Sequence, residues 1–128
     1  MKVSFDFDGT LSETHVQNYA RELIERGIEV WIVTSRFENA EKYAEFFGTI
    51  GISYDHKDLE EVTKDLGIPK DQIIFTNMSP KEDYLKDQGF KWHLDDDYGT
   101  LRPIQIIAKI PAINVKKSSF KNKCERLL

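Results

Sequence analysis

The chain carries a single cysteine, Cys124, so no internal disulfide can form. That usage fits a reducing compartment. No stretch approaches the roughly 18 apolar residues of a membrane span. The apolar start of "MKVSFDFDGT" is far too short for a secretory leader and gives way at once to acids. A disulfide scaffold and a helical membrane protein are thereby excluded, and a cytoplasmic protein without membrane contact is the expectation. Neither sign of charge dominates: 18 basic residues face 22 acidic ones, for a net charge of −4. The whole molecule therefore exerts no pull on nucleic acid, and only a local basic patch can supply one. Internal repeats, low-complexity segments and linkers are also missing.

At 128 residues the chain has the size of one domain, and its 40% hydrophobic and 31% charged residues are those of a globular protein. Met1 to Phe7 reads as a short buried strand that would point Asp6 and Asp8 to the same side. "GTLS" is a turn with Ser12 as a helix N-cap, and Val16, Tyr19, Ala20, Leu23 and Ile24 recur at helical spacing until Gly27. "IEVWIVT" is apolar on both faces, as a central parallel strand is. "FENAEKYAEFFG" and "KDLEEVTKDLG" read as helices, and "TIGISYDH" between them as a loop or small flap. "QIIFTN" is a third strand. "SPKEDYLKDQG" is a helix capped by Ser79, with Pro80 at its first position and Gly89 at its end. "FKWHL" is a fourth strand, "LRPIQII" is helical and "PAINV" is a fifth strand.

Strands alternating with helices predict an α/β fold: a doubly wound, Rossmann-like three-layer sandwich with a mainly parallel sheet. In such sheets ligands sit beyond the carboxyl ends of the strands. The first strand ends in Asp6 and Asp8, and the second in Thr34, Ser35 and Arg36. The third ends in Thr76 and Asn77, with Lys81 opening the next helix, and the fourth in Asp95, Asp96 and Asp97. Four strand ends delivering polar groups to one edge predict a site there. Asp6, Asp8 and an acid of "DDD" are ligands for a hard cation such as Mg²⁺, which takes carboxylate and carbonyl oxygens and shares its shell with phosphate. Thr34 offers a hydroxyl, and Lys81 a positive charge near a helix start. These are the parts for phosphoryl transfer: charge stabilisation, a carboxylate nucleophile and a second carboxylate that trades a proton.

"DFDGTLS" resembles the first motif of the haloacid dehalogenase superfamily, DxDGT. "WIVTSR" resembles its second motif, Lys81 in "SPK" its third and "WHLDDD" its fourth, in family order over roughly the first hundred residues. The resemblance implies Asp6 as nucleophile and Asp8 as general acid and base. It implies Thr34 and Lys81 on the phosphoryl group, joined by Gly9, Thr10, Ser35 and Arg36 around the substrate. Mg²⁺ would be held by Asp6, by the Asp8 backbone carbonyl and by Asp96 or Asp95. Gly9 would let the chain turn sharply beneath the metal. Asp8 argues against dehalogenation, because true dehalogenases of the family lack it.

The short spacings leave no room for a cap domain. By family analogy an open site suits a phosphorylated substrate up to macromolecular size, a nucleic-acid end included, or closure by a neighbouring subunit. A phospho-aspartate receiver is the rival of another class. It carries its acceptor on strand three, where this chain has Thr76 and Asn77. A catalytically idle phosphate-binding module is the other rival. Arg36 either contacts substrate or makes a surface ion pair. His93, Trp31 and Trp92 read as packing residues, His15 as a neighbour of the first motif, and Cys124 as inert. "NVKKSSFKNKCER" reads as a solvated basic tail, and "FFGTIGI" as an apolar patch that does not by itself force a dimer.

Overall fold

Each apolar run of the sequence becomes one strand of a single parallel sheet. A computed structural model describes residues 1–49 and 53–128. Strands β1 (Lys2–Phe5), β2 (Glu29–Thr34), β3 (Ile73–Phe75), β4 (Phe90–Asp95) and β5 (Ala112–Asn114) lie in the order β3-β2-β1-β4-β5, every neighbouring pair parallel. The chain winds outward from β1 through β2 to β3, then crosses back to lay β4 on the other side of β1. Parallel crossovers are right-handed, so this reversal sends the two sets of helices to opposite faces. Helices α1 (Thr14–Glu25) and α3 (Lys57–Leu66) cover one face, joined there by α6 (Phe120–Arg126). The other face is covered by α4 (Glu82–Leu85), α5 (Tyr98–Pro103) and the helical turn Ile104–Ala108. Helix α2 (Ala40–Phe47) buries none of its residues. The architecture is the expected doubly wound three-layer sandwich. Among the described residues no helix is long and apolar enough to cross a membrane.

The first face holds the larger core. Val3 and Phe5 of β1, Val30 and Ile32 of β2, and Trp92 and Leu94 of β4 meet Tyr19 and Leu23 of α1 there. Trp92 is the hinge of this packing: Phe5 meets its ring edge-on at 5.4 Å and Tyr19 stacks on it at 6.4 Å. Burying a side chain such as Leu23 contributes about 1.5–3 kcal/mol. A register shift opposes one residue of β1, Val3, to two of β4, Lys91 and Trp92, because Lys2 pairs with Phe90 and Ser4 with His93. The extra residue turns Phe90 to the second core while Trp92 stays in the first.

Several local expectations are corrected. Strand β1 stops at Phe5, before the aspartates, because the chain enters the wide turn Phe7–Leu11. Ser12 does not cap α1. Its hydroxyl accepts the Gly9 N–H at 3.0 Å, so it closes that turn, and Glu13 stands at the cap position without a side-chain bond. Helix α4 is a single turn that Ser79 does not cap, since the Ser79 hydroxyl is engaged by the Thr76 carbonyl and the Tyr84 hydroxyl. Helix α2 begins only at Ala40, where the Asn39 side chain accepts the Lys42 N–H at 2.9 Å. The basic tail is not wholly solvated, because α6 folds onto the sheet and buries Cys124. The flap and the apolar patch read in the sequence include residues 50–52, which lie outside the described residues. At the described end of the flap His56 is buried, its ring 4.7 Å from that of Phe75.

Candidate functional site

The order of the sheet puts β1 and β4 side by side at the point where the winding reverses, and there the carboxyl ends leave a crevice. Asp6 follows β1 and Asp95 ends β4. Lys81 arrives from the loop before α4, and its Nζ donates to Asp6 Oδ1 at 2.8 Å and to Asp95 Oδ2 at 2.7 Å. All three residues are buried. That loop is held by the second strand's exit. The N–H groups of Thr76, Asn77 and Met78 donate to the carbonyls of Thr34, Arg36 and Ser35. Asn77 and Met78 take φ of +53° and +65°, a left-handed turn that non-glycine residues adopt at a cost. The strain is spent where the chain must bring Lys81 back over the sheet edge.

Asp95 has no free lone pair directed outward. Its Oδ2 accepts from Lys81 and from His93 Nε2 at 2.8 Å, and its Oδ1 accepts the N–H groups of Asp96 at 2.9 Å and Asp97 at 3.1 Å. Four donors saturate a carboxylate. His93 is wholly buried, and its second nitrogen, Nδ1, lies 2.8 Å from the Ser4 hydroxyl. Burial pushes His93 below its ordinary value, so the ring is neutral. An ionised Asp95 only accepts, which places the ring proton on Nε2 and makes Nδ1 the acceptor of the Ser4 hydroxyl. Burial alone would raise Asp95, but the bond from His93 and the charge of Lys81 hold it below the ordinary carboxylate range. Burial likewise works against charge on Lys81, and the two aspartates outweigh it.

Asp6 sits differently. Its Oδ1 has only Lys81, and its Oδ2 accepts from the Thr10 hydroxyl at 3.1 Å. Burial pushes its carboxyl up to about 8, Lys81 opposing and Asp95 adding to the rise. Asp96, half-buried, completes the group: carboxylate oxygens of Asp6, Asp95 and Asp96 lie within 4.8 Å of one another. Three acids thus meet around one ammonium, which bonds two of them, Asp6 and Asp95. Gly9 makes that approach possible. Its φ is +77°, and a Cβ there would sit 2.8 Å from Asp96 Cγ.

Asp8 is corrected from its expected place beside Asp6. It belongs to the turn, with φ −64° and ψ 120°, and its exposed carboxylate faces Arg36. Asp8 therefore adds no carboxylate oxygen to the acidic group. Arg36 grips Asp8 with two bonds of 2.9 and 2.7 Å and Asp58 of α3 with two more of 2.9 and 2.7 Å. The guanidinium also lies 4.9 Å from the Phe7 ring centroid. The hydrogen bond from Arg36 is the main cause that holds Asp58 at about 2. Thr34 is buried, and its hydroxyl oxygen accepts the Arg36 N–H at 3.3 Å. The buried Thr76 hydroxyl, at the end of β3, has no partner among the described residues.

The sheet edge thus gathers Asp6, Thr10, Lys81, Asp95 and Asp96 directly, with Gly9 beneath Asp96. Asp8 and Arg36 form an adjoining ion pair, with Thr34 and Ser35 on the strand exit that carries it. Ser4 and Asp58 are absent from the residues expected at the site, and His93 was expected only to pack. His93 and Ser4 each stand two residues before an acid of the site, so strand alternation offered a signal for both. His93 is thus not only a packing residue. Asp58 offered none, because it comes from a separate helix. His15 is exposed, its ring beside Phe120. Trp92 is in the core as expected and Trp31 only half-buried. No family model, curated protein or solved structure matches the chain.

Proposed function

We propose that the chain is a Mg²⁺-dependent phosphomonoesterase of the haloacid dehalogenase type, with Asp6 as its nucleophile. The observation that carries the reading is the buried Asp6–Lys81–Asp95 chain with Asp96 opposite: a carboxylate held by one ammonium inside an excess of negative charge. The donor set fits a hard cation. Asp95 is saturated by its four donors, which leaves Asp6 and Asp96 as the side chains that would hold Mg²⁺, with Asp95 fixing Lys81. The bound ion would supply charge neutralisation for Asp6 and for the phosphoryl oxygens.

The remaining chemistry belongs to the chain. Asp6 attacks phosphorus, the ester P–O bond breaks and the leaving alkoxide takes a proton from Asp8. Water then attacks the phosphoryl group and gives its proton to Asp8. The P–O bond to Asp6 breaks, and inorganic phosphate leaves. Lys81 opposes the rise that burial imposes on Asp6, orients it and puts positive charge beside the incoming phosphate, and the bound ion would complete the ionisation of Asp6. Asp8 can serve only when Arg36 lets go of it, because both its oxygens accept from the guanidinium, and it must then take from solvent the proton that it gives the alkoxide. A phosphate offers the guanidinium the same bidentate pairing, so substrate competes for Arg36 and frees Asp8.

Hydrolysis of para-nitrophenyl phosphate, assayed with Mg²⁺ and with a chelator, tests the reading. Turnover that needs Mg²⁺ supports it. Turnover undiminished by the chelator would refute the metal assignment. Failure to hydrolyse this ester and a panel of sugar, nucleotide and oligonucleotide phosphates would refute the activity.

A further inference from the structure

A second cleft runs along the free edge of the sheet, outside β5. It comprises two adjoining hollows of about 450 Å³ each, which share Gln105, Ala112, Ile113 and Lys123. Its cations are Arg102 of α5, Lys117 of the loop after β5, and Lys123 and Arg126 of α6. No acid lines either hollow among the described residues, and none of the four cations has a carboxylate within ion-pair distance among them. The contrast with the neighbouring surface is sharp: Arg21, Arg26 and Lys121 are each matched to an acid. In a chain of net charge −4, four unmatched cations in one cleft are a local reversal of sign.

One end of the cleft lies near the candidate site, although no residue of that site lines it. Tyr98, 74% exposed, stands at its upper end where α5 begins directly after the acidic run, and Asn114 of its wall pairs in register with Asp95. A bare aromatic ring beside a track of cations is the equipment for stacking one base and following a phosphodiester backbone. An acidic peptide would use the cations and leave the ring idle.

We propose that this cleft binds single-stranded nucleic acid and leads its phosphorylated end to Asp6. The binding part stands on the cleft alone, and the delivery part rests on the phosphomonoesterase reading. The cations draw the backbone along β5, Tyr98 stacks on the terminal base, and the end lies next to Asp6 and Asp96.

Fluorescence anisotropy with a dye-labelled oligothymidylate lacking a terminal phosphate tests the binding, with para-nitrophenyl phosphate turnover measured on the same samples. Four phosphate contacts on a single strand give a salt slope near −2.8, so binding is expected to weaken roughly fifty-fold between about 50 and 200 mM salt. Lys117→Ala and Lys123→Ala should each take about 0.7 from that slope and leave para-nitrophenyl phosphate turnover unchanged. Tyr98→Ala should weaken binding by about tenfold. No binding at about 50 mM salt, binding indifferent to these substitutions, or displacement by polyglutamate as efficient as by oligothymidylate would each overturn the nucleic-acid assignment. Cleft-dependent binding without any phosphatase activity would uphold the binding and remove the delivery. Activity without binding would do the reverse to the cleft and spare the phosphomonoesterase reading.

Discussion

Arg36 connects the two halves of the site. Its four charge-assisted bonds hold Asp8 and Asp58 together, and Asp58 is expected to titrate at about 2 because the guanidinium stabilises its charged form. A carboxyl-carbon NMR titration should find that value in the wild type. In Arg36→Ala it should find a return to the ordinary range near 4. The sign follows from linkage: a depressed carboxyl favours the folded state above its unfolded value, and that contribution is lost as pH falls from about 4 through about 2. Asp58 is largely exposed, so the effect on stability is small. An Asp58 that titrates near 4 in the wild type would dissolve the clamp. The sequence offered Asp6, Lys81 and the acidic run because each stands at the end of an apolar strand or the start of a helix. It could not offer the division between Asp6 and Asp8. One turns inward to Lys81 and the other outward to Arg36, which depends on where β1 breaks and on a partner from α3.

At the scale of elements, the strands and their order of appearance were legible, since apolar runs bounded by glycine, proline and polar clusters mark them. The register shift of β4 against β1 was not legible, because it arises between strands far apart in the chain. The single turn of α4 was hidden by a loop in which Asn77, Met78 and Ser79 use their groups on the exits of β2 and β3. Helix α2 shows what periodicity leaves out. Its stripe of Ala40, Tyr43, Ala44 and Phe47 is regular, yet none is buried. Phe46 and Phe47 remain mostly exposed, resting on the buried ring of Phe37. A helix without buried anchors opens at low free energy. Amide hydrogen exchange should therefore run at least about a hundredfold faster in α2 than in α1, a gap of roughly 3 kcal/mol. Equal protection would mean that α2 belongs to the core.

At the scale of the molecule, the sheet separates two cores, its reversal point collects the acids and the lysine, and the cationic cleft lies along the β5 edge. The sole cysteine reports on the integrity of that arrangement. Cys124 lies on the buried face of α6, and burial pushes its thiol up to about 12. Alkylation should be slow in native buffer and rise with denaturant together with the change in fluorescence of Trp31 and Trp92. Rapid native labelling would place α6 outside the cooperative unit. The most direct measurement concerns Asp6. The protein is mixed with a phosphate monoester and Mg²⁺, quenched in acid and digested for mass spectrometry. The expected result is a phosphoryl group on the peptide that carries Asp6, with neither adduct nor turnover in a folded Asp6→Asn variant. A phosphoryl group on another residue, or turnover retained by Asp6→Asn, would contradict the assignment of Asp6 as nucleophile.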